Sequence, residues 1–130
     1  MSSINFKREM NLSVDQAVEK VTEAIKPVGF GILTRIDFHT KMKEKLNKDM
    51  EPVVILGACN PQLAFEAFEK NTDVTSLMPC NVVVRSLGPS KVSIEMIKPS
   101  KMMEFLNEPA LVKLAEVADA HLQKALESLK

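Results

Sequence analysis

The sequence has no tryptophan and no tyrosine. These are the side chains on which bases and sugar rings usually stack, so the common stacking platforms are excluded. It has no surplus of either charge: 17 Lys and Arg balance 17 Asp and Glu, for a formal net charge of zero. A nucleic-acid binder neutralises phosphates with a basic excess, and none exists here. The one local basic run, Lys41 to Lys48, is interrupted by Glu44 and followed by Asp49, which is the pattern of a solvated helix face. No stretch approaches the roughly 18 consecutive apolar residues of a membrane-crossing helix. The opening MSSINFKREM meets charge before any apolar region and does not read as a secretory leader. Cysteine is scarce, with two residues in all. Two thiols without a leader suit a reducing, cytoplasmic setting, not a structural disulfide. Neither nucleic acid nor a membrane is expected as a partner.

What is present is enough apolar material for one core. The chain has 130 residues, 45% of them hydrophobic, which predicts a single domain over 1–130. INFKREM alternates as a short strand. Ser13 and Gln16 form a capping box, and Val14, Ala17, Val18, Val21 and Ile25 follow at helical spacing until Pro27 and Gly29 stop the helix. FGILTRIDF alternates at period two, which predicts a strand burying Phe30, Ile32, Ile36 and Phe38 on one side. HTKMKEKLNK predicts a charged helix with Met42 and Leu46 as its apolar contacts. PVVILGA is a continuous apolar run and predicts a central strand. A helix then begins at Asn60 and Pro61, with Leu63, Ala64, Ala67 and Phe68 as its buried stripe. PCNVVVRSLGPSKVSIEMI predicts a hairpin turning at Gly88-Pro89-Ser90. A short helical turn and a long helix from Pro109 to about Leu129 complete the chain. The order predicts an α+β two-layer sandwich, with helices on one face of a mixed or antiparallel sheet.

Two segments carry possible chemistry. ILGACNP places Cys59 and Asn60 where a strand hands over to a helix, and 21 residues later LMPCNVVV repeats the pair as Cys80 and Asn81. Unpartnered N–H groups at a helix start favour an anion, so the thiol of Cys59 is expected to have a lowered pKa. If the two strands are neighbours, Cys59, Asn60, Cys80 and Asn81 meet at one rim of the sheet. The asparagines would there offer donors and an acceptor to a small polar or anionic ligand. A small buried cysteine packed behind a cap is the competing account. Neither C-x-x-C nor H-x-x-x-H occurs, and His39 and His121 are the only histidines, so no metal site is expected. No G-x-S-x-G, H-E-x-x-H, phosphate loop or G-x-G-x-x-G occurs either, and no cofactor is expected.

The segments GFGILTRID, KEKL, ILGACNPQLA, LMPCNVVV and VSIEMIKP, in that order over about residues 28–112, resemble the bacterial and archaeal domain of unknown function family 302. The resemblance implies a two-layer α+β fold and leaves activity open. It matches Cys59-Asn60 and Cys80-Asn81 to the family's signature positions. It also implies three departures. His39 stands where a lysine is frequent, Phe65 where a histidine is frequent, and Lys98 where an aspartate is frequent. A family role resting on that histidine or aspartate does not carry over to this chain.

Three functions follow as expectations. The first is a binding module for a small polar or anionic ligand at the Cys-Asn rim. The second is a thiol-based redox or transfer enzyme with Cys59 as nucleophile, ranked lower because no base is placed beside either cysteine. The third is a homodimeric interaction protein that uses the sheet face the helices leave bare. Leu33 and Val83 would seed that face, with Arg35 and Asp37 beside Leu33.

Overall fold

The computed structural model describes residues 3–130. Alternating segments become five strands: β1 (Asn5–Met10), β2 (Gly31–Asp37), β3 (Val53–Cys59), β4 (Cys80–Gly88) and β5 (Lys91–Ile97). Segments with helical spacing become α1 (Val14–Ile25), α2 (Phe38–Leu46), α3 (Pro61–Lys70), α4 (Pro99–Met103) and α5 (Pro109–Ser128). The sheet order is β1-β5-β4-β3-β2, and every neighbouring pair is antiparallel. The fold is therefore an α+β sandwich with a purely antiparallel sheet.

Opposed residues share a face of the sheet, so the register assigns the core. Val54, Leu56 and Ala58 of β3, Val82 and Val84 of β4, and Val92, Ile94 and Met96 of β5 point to one side. All are buried against Ala17, Val21 and Ile25 of α1 and Leu122, Ala125 and Leu126 of α5. Each large side chain hidden there contributes about 1.5–3 kcal/mol of transfer free energy. The capping box of α1 forms as read: Gln16 N–H donates to Ser13 Oγ at 3.2 Å, and Gln16 Oε1 accepts from Ser13 N–H at 3.0 Å. Arg8 reaches from β1 to the far end of α5, where its Nη1 donates to the Leu126 carbonyl at 2.9 Å. A cation there satisfies a terminal carbonyl and meets the negative end of the helix.

Three sequence expectations are corrected. β2 does not bury one continuous face. Ile32 pairs with Ala58 but Thr34 pairs with Gly57, so Leu33 is an extra, bulged residue that resets the alternation. Beyond it Arg35 and Asp37 share the helix-side face with Leu56 and Val54, while Thr34 and Ile36 share the bare face with Gly57 and Ile55. Ile36 is 47% exposed in consequence. The charged helix α2 buries none of its residues, and Leu46 is exposed. On α3 only Ala67 is buried, and Phe68 faces water. His39 is half-buried, and its Nδ1 accepts from Val53 N–H at 3.1 Å, which ties α2 to the start of β3.

Candidate functional site

Cys59 ends β3 and Cys80 begins β4. The register pairs Ala58 with Cys80, so the cysteines come from adjoining strand ends, and both are free. Asn60, extended at φ −103°, caps α3: its Oδ1 accepts from Leu63 N–H at 3.2 Å. Its Nδ2 lies against Gly29, where a Cβ would stand 2.9 Å away. Gly29 also has φ +87°, a left-handed turn that favours glycine. The end of α1 and the start of α3 are thereby fitted to each other.

Under this junction lies a cavity of about 60 Å³. Its existence follows from the inward stripe of α3. Ala64 and Ala67 are too short to reach the opposite wall, which is formed by Met102 and Met103 of α4 and by Leu111 and Ala115 of α5. Cys59, Asn60 and Cys80 line it, and no Asp, Glu, Lys, Arg or His does. Asn81 does not join them. It pairs with Gly57 on the bare face of the sheet and is exposed. Period two puts successive strand residues on opposite faces, which separates Cys80 from Asn81. Three of the four rim residues read from the sequence meet at the cavity, and the polar group of Asn60 is already engaged as a cap.

The thiols do not behave as a helix start alone would dictate. Burial pushes the Cys59 thiol above its ordinary value. The expected lowering fails because the helix-start groups are already committed: Pro61 has no N–H, and Leu63 N–H is bonded to Asn60. Burial pushes Cys80 further, to about 12, with added contributions from Cys59 and from the carboxylate of Asp119. Burial thus favours the protonated form of both thiols.

Asp119 is the charged neighbour of Cys80 that sequence reasoning missed. It accepts from Ser100 N–H at 3.0 Å and from the Ser100 hydroxyl in a shorter bond, which fastens α4 to α5 at the edge of the cavity. A signal existed. Asp119 follows Ala115 by four and precedes Leu122 by three, so an acid sits at the margin of the buried stripe of α5.

With this geometry described, comparison with known proteins becomes informative. The family model "Domain of unknown function DUF302" matches residues 6–129. The chain belongs to this family. A crystal structure of an uncharacterized conserved DUF302 protein from Bacillus stearothermophilus is similar over 99% of this chain and 100% of that one, with a TM-score of 0.91 and 28% identity. No curated protein matches the chain. His39, Phe65 and Lys98 all fall outside the cavity lining. Phe65 is exposed, and Lys98 lies 5.1 Å from the centre of the Phe6 ring.

Proposed function

We propose that this DUF302 protein is a cytoplasmic binding module whose ligand is a small uncharged group, apolar or soft in character, held in the cavity behind Cys59 and Cys80. The observation that carries this reading is the wall itself: apolar and sulfur-bearing side chains surround the space, and no charged side chain lines it. A polar or anionic ligand finds few groups there, since Asn81 faces away and the amide oxygen of Asn60 is committed to its helix. Thiol catalysis is disfavoured because burial favours the protonated form of both thiols. The cytoplasmic setting is supported by the two free cysteines. Among the described residues, no helix is long and apolar enough to cross a membrane.

The test is thermal unfolding in the presence of toluene, a small neutral probe, or of phosphate. Flexible methionines in the wall allow such a probe to be admitted. A ligand at 100 times its Kd stabilises by about 2.7 kcal/mol, so saturating toluene raises Tm by several degrees while phosphate does not. Ala67→Phe, or the milder Ala64→Leu, fills the space and abolishes the toluene shift. The reverse selectivity, or a toluene shift that survives both fillings, would sink the reading.

A second reading concerns assembly, and a specific observation favours it. The bare sheet face carries Ile36, Ile55 and Val83, and four of its charges form two pairs within the protomer, with Lys7 opposite Glu95. Arg85 lies 3.0 Å from Glu95 and Lys91 lies 3.2 Å from Glu9. An apolar centre with a self-neutralised margin suits contact with a second copy in an isologous dimer. The expected result is a dimer mass in sedimentation below about 100 μM, tighter than millimolar non-specific contact, and a monomer for Ile36→Lys. A wild-type monomer mass at that concentration ends the dimer reading.

A further inference from the structure

Five sulfur-bearing side chains surround the one small space. Cys59 and Cys80 enter from the strand ends, Met78 from the segment before β4, and Met102 and Met103 from α4. Both cysteines of the chain and three of its eight methionines therefore line about 60 Å³. The size is informative. A water occupies roughly 30 Å³ of liquid, whereas a cavity that takes up benzene is nearer ~150 Å³. Without rearrangement the space admits a single ion or a few atoms, not a ring.

We propose that the cavity is a site for a soft monovalent cation of the copper(I) class, ligated by Cys59 and Cys80 with thioether support from the methionines. This rests on the reading above for the cavity and its soft character, and replaces the uncharged occupant with an ion. Thiolate and thioether donors select copper(I), whereas magnesium, calcium and manganese take carboxylates, carbonyls and water. The nearest carboxylate, Asp119, is occupied by Ser100. Zinc needs four strong ligands, and among the described residues no group of three His, Cys, Asp or Glu could supply them. Weighing cysteine and histidine alone, as for zinc, misses this site, because its remaining donors are methionines brought together only by the fold.

In binding, the S–H bonds of Cys59 and Cys80 break, two sulfur–copper bonds form and two protons leave to water. No electron moves, so the metal must arrive already as copper(I), for example on a small thiol carrier. Protons are displaced when the thiols bind the metal, so affinity falls about tenfold per pH unit for each proton released.

The experiment titrates the reduced full chain with copper(I) against the chelator bicinchoninate, without oxygen, at pH 6 and pH 7. One equivalent is expected to bind, more weakly at pH 6, with sulfur-only ligation in X-ray absorption. Cys59→Ser and Cys80→Ser each lose at least about tenfold in affinity. Met102→Leu, which conserves volume and keeps the fold, loses less. Unchanged affinity in the Cys59→Ser/Cys80→Ser double variant, nitrogen or oxygen ligation, or no copper(I) binding overturns the proposal. If toluene binds and copper(I) does not, this inference fails and the binding reading stands. If neither enters, both fail.

Discussion

Asp119→Ala is expected to lower unfolding free energy by about 2–4 kcal/mol, because it strips a buried serine of both its partners. Ser100 is 8% exposed, and its N–H and its hydroxyl both donate to that one carboxylate. No other element can supply an acceptor without moving α4. At five residues α4 is too short to persist on its own and depends on this anchor. The control is Ser100→Ala, which removes the hydroxyl bond and keeps the backbone one, and should cost about 1 kcal/mol. Urea unfolding of the three proteins provides the measurement, and an Asp119→Ala loss within 0.5 kcal/mol of zero would show that α4 is held by packing alone. The same variant removes one of the charges that raise Cys80, so that thiol should become easier to deprotonate.

Gly57→Ala is the second large effect, and its cause is steric. A Cβ at residue 57 would stand 2.2 Å from Thr34 Oγ1 and 2.6 Å from Pro79 Cγ. Thr34 is exposed on an edge strand and can rotate away. The Pro79 ring cannot, since it is fixed to the backbone immediately before Cys80. Overpacking of this kind costs about 1–3 kcal/mol. Adding Thr34→Ala relieves one clash only, so the double variant should recover part of the loss, and a thermodynamic cycle separates the two neighbours. Full recovery by Thr34→Ala would mean that Pro79 gives way freely. Because the ring is joined to Cys80, the strain also bears on the cavity.

The regular elements were legible because each carries a local cause. Ser13 with Gln16 begins α1, Asn60 with Pro61 begins α3, and Gly88-Pro89-Ser90 turns the hairpin between β4 and β5. That Cys59 and Cys80 come from adjoining strand ends was legible from the repeated Cys-Asn. The bulge at Leu33 was not, since Thr-Arg-Ile-Asp alternates equally well on either side of it and no glycine or proline marks the slip. The cavity was hidden for a different reason. It is a difference in reach between Ala64 and Ala67 on one helix and methionines some 40 residues away, and side-chain periodicity records which face is apolar without recording whether the face is filled. Asp119 was read as part of a helical pattern although its partner, Ser100, lies on a separate element.

The bulge at Leu33 has a further consequence for how copies of the protein meet. β2 is an outer strand of the sheet, and a flat outer strand offers its unpaired N–H and C=O groups to any other strand of similar length. Here the extra residue twists the strand out of register halfway along it. Arg35 and Asp37 beyond the bulge are bonded to each other at 3.0 Å. A second chain cannot run its own strand along this edge without crossing an irregular step and a charged pair. Growth of the sheet into a ribbon, the first step toward fibrous aggregation, is therefore hindered at this border.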